Sequence, residues 1–215
     1  MYKAVLFDLD GTVTDSGPGI TRCVQYALEK IGHPEENLDA LRVFVGPPLK
    51  EQFMEYAGVD EETALTAIRF YRERFEPVGM FENELYPGIL ELLEDLYRKG
   101  YQLAIASSKP EPYVKRILAH FGIDRYFKEV VGAGLDETRT RKVEVVEEAL
   151  RRLGLADSPE KAILVGDKSH DVLGARAAGV ECLAVTYGYG TPEELKGAQP
   201  LKILHTPAEV GYFFQ

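Results

Sequence analysis

The sequence predicts an α/β protein: a doubly wound, mainly parallel, Rossmann-like sheet with an α-helical bundle inserted after the first strand. Three observations carry that prediction. Several short runs are apolar throughout rather than alternating, as strands covered on both faces must be. Helix-period stretches lie between them. One interval, residues 15–84, is too long for a loop and has helical spacing of its own.

Lys3 to Asp8, with the apolar core Ala4–Phe7, reads as the first buried strand. Within 15–84, Ile20, Cys23, Val24, Ala27, Leu28 and Ile31 keep helical spacing, and Leu65, Ile68, Tyr71 and Phe75 do so again. Shorter helical pieces fit Leu38–Val45 and Leu49–Tyr56. The division expected is an α/β core of residues 1–14 and 85–215 and a helical unit of residues 15–84. In the core, Ile89, Leu93, Leu96 and Tyr97 share a helix face, as do Val146, Ala149, Leu150 and Leu153. Tyr101–Ala106, Glu129–Gly132, Ala162–Val165 and Cys182–Val185 read as further buried strands, the last closing the core. Gly100, Gly154 and Gly179 stand where helices end, and Pro110 where one opens.

The chain has 215 residues, 45% hydrophobic and 28% charged, which supplies a core and excludes disorder. Its 35 acidic and 25 basic residues leave a formal charge of −10, which argues against a nucleic-acid polymer or an anionic membrane as partner. No run approaches the roughly 20 apolar residues of a membrane span. Asp8 cuts the first apolar run, so the amino end does not read as a secretory signal. Cys23 and Cys182 are isolated and imply neither a disulfide framework nor a zinc site. The expected compartment is the cytoplasm, and the sequence fits a monomer or a homodimer.

The chemistry sits at strand ends, where open α/β sheets bind ligands. Asp8 and Asp10, two apart on a strand, project the same way. Two such carboxylates repel unless a cation or proton lies between them, and oxygen-only ligands favour Mg²⁺. Gly11 permits a tight turn after the pair. A second acidic pair, Asp167 and Asp171, follows the strand Ala162–Val165; helix capping explains one of these acids and leaves the other. Ser107 and Ser108 end another strand, where a hydroxyl and free N–H groups make an anion cradle or an ordinary cap. Arg139, Arg141 and Lys142 open a helix, where cations oppose the macrodipole unless an anion arrives. The four histidines have no metal spacing, and His170 fits a solvent-exposed helix position. Gly188-Tyr189-Gly190 lacks the third glycine of a dinucleotide loop and is discounted.

Asp8-Leu9-Asp10-Gly11-Thr12, Ser107, Lys142 and Gly166-Asp167…Asp171 resemble, in order, the four motifs of the haloacid-dehalogenase-like hydrolases. The helical insertion and Gly46-Pro47-Pro48-Leu49 resemble the small cap of the phosphoglycolate-phosphatase-like branch. The resemblance implies a Mg²⁺-dependent phosphatase acting on a small phosphorylated metabolite, such as phosphoglycolate or a nucleotide. Asp8 is then the nucleophile, and Asp10 the general acid and base. Ser107, Ser108, Gly11, Thr12 and Lys142 bind phosphate. Mg²⁺ is held by Asp8, Asp167, Asp171 and the Asp10 carbonyl. Arg42, Gly46 and Lys50 in the cap and Lys109 after the serine pair are the candidates for reading the substrate. A phosphomutase or phosphotransferase, and a non-catalytic phosphoryl-binding or signalling protein, are the alternatives.

Overall fold

The structure is a computed structural model that describes residues 2–136 and 138–215. By its internal contacts the chain divides into two units, Met1–Thr14 with Leu85–Gln215, and Asp15–Glu84. The chain passes between them at two short segments, β2 (Thr14–Asp15) and β3 (Glu84–Leu85), after the opening strand β1 (Ala4–Phe7).

The Asp15–Glu84 unit is helical. It holds α1 (Gly17–Lys30), α2 (Leu49–Ala57) and α3 (Glu61–Phe75), with a 3₁₀ turn over Ala40–Phe44 between α1 and α2. α1 buries Ile20, Cys23, Val24, Ala27 and Leu28. α3 buries Ala64, Ala67, Ile68, Tyr71 and Phe75. Leu65 is 41% exposed, contrary to the face read from the sequence. The buried set steps by three and four residues from Ala64, so Leu65 falls on the neighbouring face. Asp60 caps α3 by accepting from the Thr63 N–H at 2.9 Å.

The other unit is built on a six-stranded sheet. After α4 (Ile89–Arg98) come β4 (Gln102–Pro110), α5 (Glu111–Phe121), β5 (Phe127–Ala133), α6 (Lys142–Leu153) and β6 (Ala162–Gly166). Then follow α7 (Ser169–Ala177), β7 (Glu181–Val185), α8 (Pro192–Ala198), β8 (Lys202–Leu204) and α9 (Pro207–Phe213). The strand order is β5-β4-β1-β6-β7-β8, and every pair is parallel. The chain winds outward from β1 to β5, then returns to β6 beside β1 and winds out the other way. β1 therefore lies at the topological switch point, where the loops on either side diverge and leave a crevice.

All four β1 residues are fully buried, as a strand flanked and covered on both sides requires. Each fully buried large apolar side chain there contributes about 1.5–3 kcal/mol over exposure. α4 buries Ile89, Leu92, Leu93 and Leu96, whereas Tyr97 is 55% exposed and lies on the outer face against Tyr126. β7 is not the last core strand: β8 adds a further parallel strand beyond it. Among the described residues no helix is long and apolar enough to cross a membrane.

Candidate active site

The register of β1 sets the site. Phe7 stands opposite Ile105 of β4 and Val165 of β6, and Asp8 continues the ladder through its N–H to the Val165 carbonyl at 2.9 Å. Asp8 thus leaves the sheet at its carboxyl edge, between β6, which ends one residue further on at Gly166, and β4, which runs on to Pro110. The chain then turns sharply at Gly11, whose φ is 85°. A Cβ on Gly11 would lie 2.2 Å from Asp167 Oδ2, so only glycine lets this turn pass so close to the second acidic pair.

Lys142 is the first residue of α6, and its ammonium is brought to Asp8 from 134 residues away. Its Nζ donates to Asp8 Oδ1 at 2.6 Å and to the Ala106 carbonyl at 3.0 Å, and lies 2.8 Å from Asp171 Oδ1. Burial works against the charge on Lys142, but Asp171 and Asp8 outweigh it and raise its pKa above the ordinary lysine value.

Asp167 follows β6 directly, and Asp171 sits in the first turn of α7. Asp171 divides its oxygens. Oδ2 accepts the Lys168 N–H at 3.0 Å, capping the helix, while Oδ1 is buried with no hydrogen-bond donor in good geometry. Burial raises the Asp171 pKa, but Lys142 more than reverses this and leaves it below the ordinary value. Asp167 shifts the opposite way. Burial first, then Asp171 and Asp8, push its carboxyl well above the usual range. Asp8 is also raised, by burial in spite of Lys142.

Asp8, Asp167 and Asp171 each offer an oxygen within 4.8 Å of the others, all three buried. This grouping fits a divalent cation on three counts. The donors are all oxygen, which suits a hard ion such as Mg²⁺. Asp171 Oδ1 is buried with the Lys142 ammonium at 2.8 Å but no hydrogen bond in good geometry. Four carboxylates, Asp10 included, are buried together, with two ammonium groups in direct contact, Lys142 on Asp8 and Asp171 and Lys109 on Asp10, so acids outnumber the cations that touch them.

Ser107, Ser108 and Lys109 do not open a helix. β4 runs on through them to Pro110, and α5 starts only at Glu111. Ser107 is 2% exposed, and its Oγ accepts the Lys109 N–H at 3.3 Å. Ser108 is half-buried beside it. Lys109 Nζ grips both oxygens of Asp10 at 2.8 and 3.0 Å, and both side chains are nearly closed to solvent. Thr12 is fully buried, and its hydroxyl donates to Asp167 Oδ1 at 3.2 Å.

Residues 5–185 match the family described as haloacid dehalogenase-like hydrolase. The chain belongs to that family. It is 47% identical over 199 residues to a 5'-nucleotidase of Pseudomonas aeruginosa, covering 93% of this chain and 89% of the relative. It is 41% identical to the tyrosine-protein kinase PtkA of Mycobacterium tuberculosis, covering 94% of this chain and 68% of the relative. Phosphoglycolate phosphatase 1 of P. aeruginosa is 30% identical over 94% of this chain and 76% of its own length. A crystal structure of a predicted phosphatase from Clostridium acetobutylicum superposes with a TM-score of 0.95 at 45% identity, covering all of this chain and 98% of that one. With relatives so named at these identities, this haloacid dehalogenase-like hydrolase is a phosphatase.

The other cations read from the sequence serve the scaffold of this hydrolase. Arg139 has a positive φ of 53° and turns its guanidinium back to the Gly132 carbonyl at 2.8 Å and towards Glu111 at 3.5 Å. Arg141 pairs with Glu144 on its own helix at 2.6 Å. Only Lys142 of the three enters the site, because it alone is the helical residue facing β1. His170 is not solvent-exposed: it is half-buried, with Nε2 3.6 Å from Asp171 Oδ1. In the helical unit, Arg42 pairs with Asp39 at 3.2 Å and Lys50 with Glu61 at 3.0 Å, while Gly46 takes a φ of 102°.

Arg152 joins Glu111 at 3.0 Å to Glu148 at 2.7 Å, so α5 and α6 are tied by charge behind the site. Arg151 first, and Arg152 with it, hold the Glu148 pKa at about 2, against an ordinary 4.5. A depressed carboxylate stabilises the fold above its unfolded pKa and loses that contribution as pH falls to the folded one. The thermal midpoint of the wild type is therefore expected to drop more steeply than that of Glu148→Gln between pH 4.5 and about 2. Parallel pH profiles of the two proteins would refute the linkage.

One part of the site was passed over in the sequence. Tyr187-Gly188-Tyr189-Gly190, between β7 and α8, lies against the first and last motifs, and the Tyr189 N–H donates to Asp167 Oδ2 at 2.7 Å. The available signal was its place after a buried strand, at the same sheet edge as the aspartates.

Proposed function

We propose that this phosphatase hydrolyses small phosphomonoesters with Mg²⁺, through an aspartyl-phosphate on Asp8. The observation that carries the proposal is the buried convergence of the Lys142 ammonium, 2.6 Å from Asp8, with the three-carboxylate cluster of Asp8, Asp167 and Asp171.

In this reading Asp8 attacks phosphorus in line with the ester oxygen. The bond from phosphorus to Asp8 forms as the bond to the leaving oxygen breaks, and Asp10 gives that oxygen a proton. Asp10 then takes a proton from the water that attacks phosphorus, and the bond to Asp8 breaks to release inorganic phosphate. Lys142 and Ser107 face the equatorial phosphoryl oxygens, and Ser108, Gly11 and Thr12 build the walls around them. Lys109 holds both Asp10 oxygens, so substrate entry has to loosen that pair for Asp10 to reach the leaving oxygen. Mg²⁺, held by Asp8, Asp167, Asp171 and the Asp10 carbonyl, supplies positive charge to the transferring group. The 15–84 unit, with Arg42, Gly46 and Lys50, is assigned the reading of the non-phosphate part of the substrate. The names of the relatives favour nucleoside monophosphates and phosphoglycolate. Cys23 and Cys182 are both buried, and Cys23 Sγ accepts from Arg74 at 3.2 Å.

Phosphate release from a panel of phosphorylated metabolites is expected to fall to background in EDTA and to return with Mg²⁺; turnover that ignores the chelator overturns the proposal. A pH effect accompanies it. Asp8 and Asp167 have raised pKa values, so the cation-free fold weakens as pH climbs from the ordinary 3.8 towards them. Mg²⁺ binds the charged carboxylates, so its gain in Tm is expected to be larger near about pH 7.5 than near about pH 5. An equal gain at both contradicts the assignment. The likeness to PtkA favours a second reading, phosphoryl transfer to a protein hydroxyl. ATP-dependent labelling of a tyrosine peptide that stops in Asp8→Asn would support it.

A further inference from the structure

The loop after β7 touches the first and last acidic motifs residue by residue. The Tyr187 hydroxyl donates to the Thr12 carbonyl at 3.1 Å, and its ring packs on Tyr86 with centroids 4.9 Å apart. A Cβ on Gly188 would lie 2.2 Å from the Gly11 carbonyl oxygen and 2.4 Å from Asp167 Oδ2. The Tyr189 N–H holds Asp167 Oδ2 at 2.7 Å. A Cβ on Gly190 would lie 1.9 Å from the Asp167 carbonyl oxygen. Neither Gly188 nor Gly190 has a positive φ, so what demands glycine at both is the closeness of the neighbouring backbone and carboxylate.

We infer that Tyr187–Gly190 is a brace that sets the position of Asp167 for the cation, acting as a set of positioning residues rather than as ligands. The inference rests on the Mg²⁺ reading above. Asp167 accepts on both oxygens, from Thr12 on one and Tyr189 on the other, so its carboxylate has one orientation. Thr12 is itself fixed from behind by Tyr187. The brace therefore ties the turn after β1 to the end of β6, the gap across which Asp8 and Asp167 share an ion. Groups that orient a metal ligand matter nearly as much as the ligand, and losing one typically weakens metal affinity about 10–100-fold.

The test is Mn²⁺ binding to the full chain, followed by electron paramagnetic resonance without substrate. An alanine methyl at 188 has to displace either the Gly11 carbonyl or the Asp167 carboxylate. Gly188→Ala is expected to weaken Mn²⁺ binding by at least about tenfold while circular dichroism stays that of the wild type. Tyr187→Phe removes only the hydroxyl that holds Thr12, one contact further from Asp167, and is expected to weaken binding by less than the roughly tenfold lower bound for a direct partner, but measurably. Gly197→Ala, in α8 with nothing within 4 Å of the added methyl, is expected to bind as the wild type does. Wild-type affinity in a folded Gly188→Ala overturns the brace. If that variant does not fold, an unchanged Tyr187→Phe overturns it. No Mn²⁺ binding by the wild type itself would bring down the cation reading, and the brace with it; loss in the variants alone supports both.

Discussion

Asp8→Asn is expected to lower kcat for p-nitrophenyl phosphate by at least about 10³-fold while leaving the fold intact. An amide cannot form the acyl phosphate, and Asp171, the other carboxylate against Lys142, already spends Oδ2 on the Lys168 N–H, whereas Asp8 directly continues the central strand β1. Stability moves the other way from activity. The folded protein already disfavours the Asp8 charge, because burial outweighs Lys142. Removing that charge also relieves Asp167 and Asp171, whereas Lys142 keeps its contact with Asp171. The variant should therefore unfold within a few degrees of the wild type, with a change in unfolding free energy on the order of 1 kcal/mol or less. Loss of turnover with unchanged melting assigns the effect to chemistry. Retention of turnover within about tenfold of the wild type removes Asp8 as nucleophile and leaves the aspartyl-phosphate without a bearer.

The sequence announces some of this arrangement and hides the rest for identifiable reasons. Asp8 stands out because an acid ends a wholly apolar strand, a place where solvation alone gives no reason for it. Asp167 stands out in the same way. Lys142 is different: beside Arg139 and Arg141 nothing local separates it, and only the order of motifs along the chain picks it out. The structure separates the three by direction, since α6 begins at Lys142 and the two arginines reach Gly132 and Glu144 instead. The grip of Lys109 on Asp10 spans 99 residues and exists because β4 lies beside β1, a neighbour relation that no local pattern encodes. The extension of β4 through Ser107 and Lys109 was hidden by their polarity, which reflects the site they face rather than a loop. Gly188-Tyr189-Gly190 reads from the sequence as an incomplete nucleotide loop; the true demand on its glycines is the approach of Asp167, which the pairing of β6 with β7 creates. On helix faces the error is a single step of phase, as at Leu65 and Tyr97.

Lys142→Met is the substitution expected to separate the electrostatic part of this site from its packing. The ammonium is buried at 5% exposure, and removing one partner of a buried charged group costs about 3–5 kcal/mol. Methionine fills much of the same volume, so the loss comes chiefly from Asp8, Asp167 and Asp171 facing one another without a cation. That origin fixes the pH dependence. The raised pKa of Lys142 means that its contribution is complete at neutral pH and fades only in strong base. The lowered pKa of Asp171 means that its share is present above the ordinary 3.8 and lost as pH falls further. In the variant the acids can escape repulsion by binding protons, so acid should rescue it relative to the wild type. Urea unfolding without divalent ions is expected to show the full deficit near about pH 7 and a much smaller one near about pH 4. Mg²⁺ should recover part of the stability, since it answers the same surplus of negative charge. It should not recover kcat, which is expected to stay about 10²–10³-fold down, because the ammonium proposed to face the transferring phosphoryl oxygens is gone. A deficit of constant size from pH 4 to pH 7 would mean that Lys142 acts there as a space-filling stem, and the role given to its charge would have to be withdrawn.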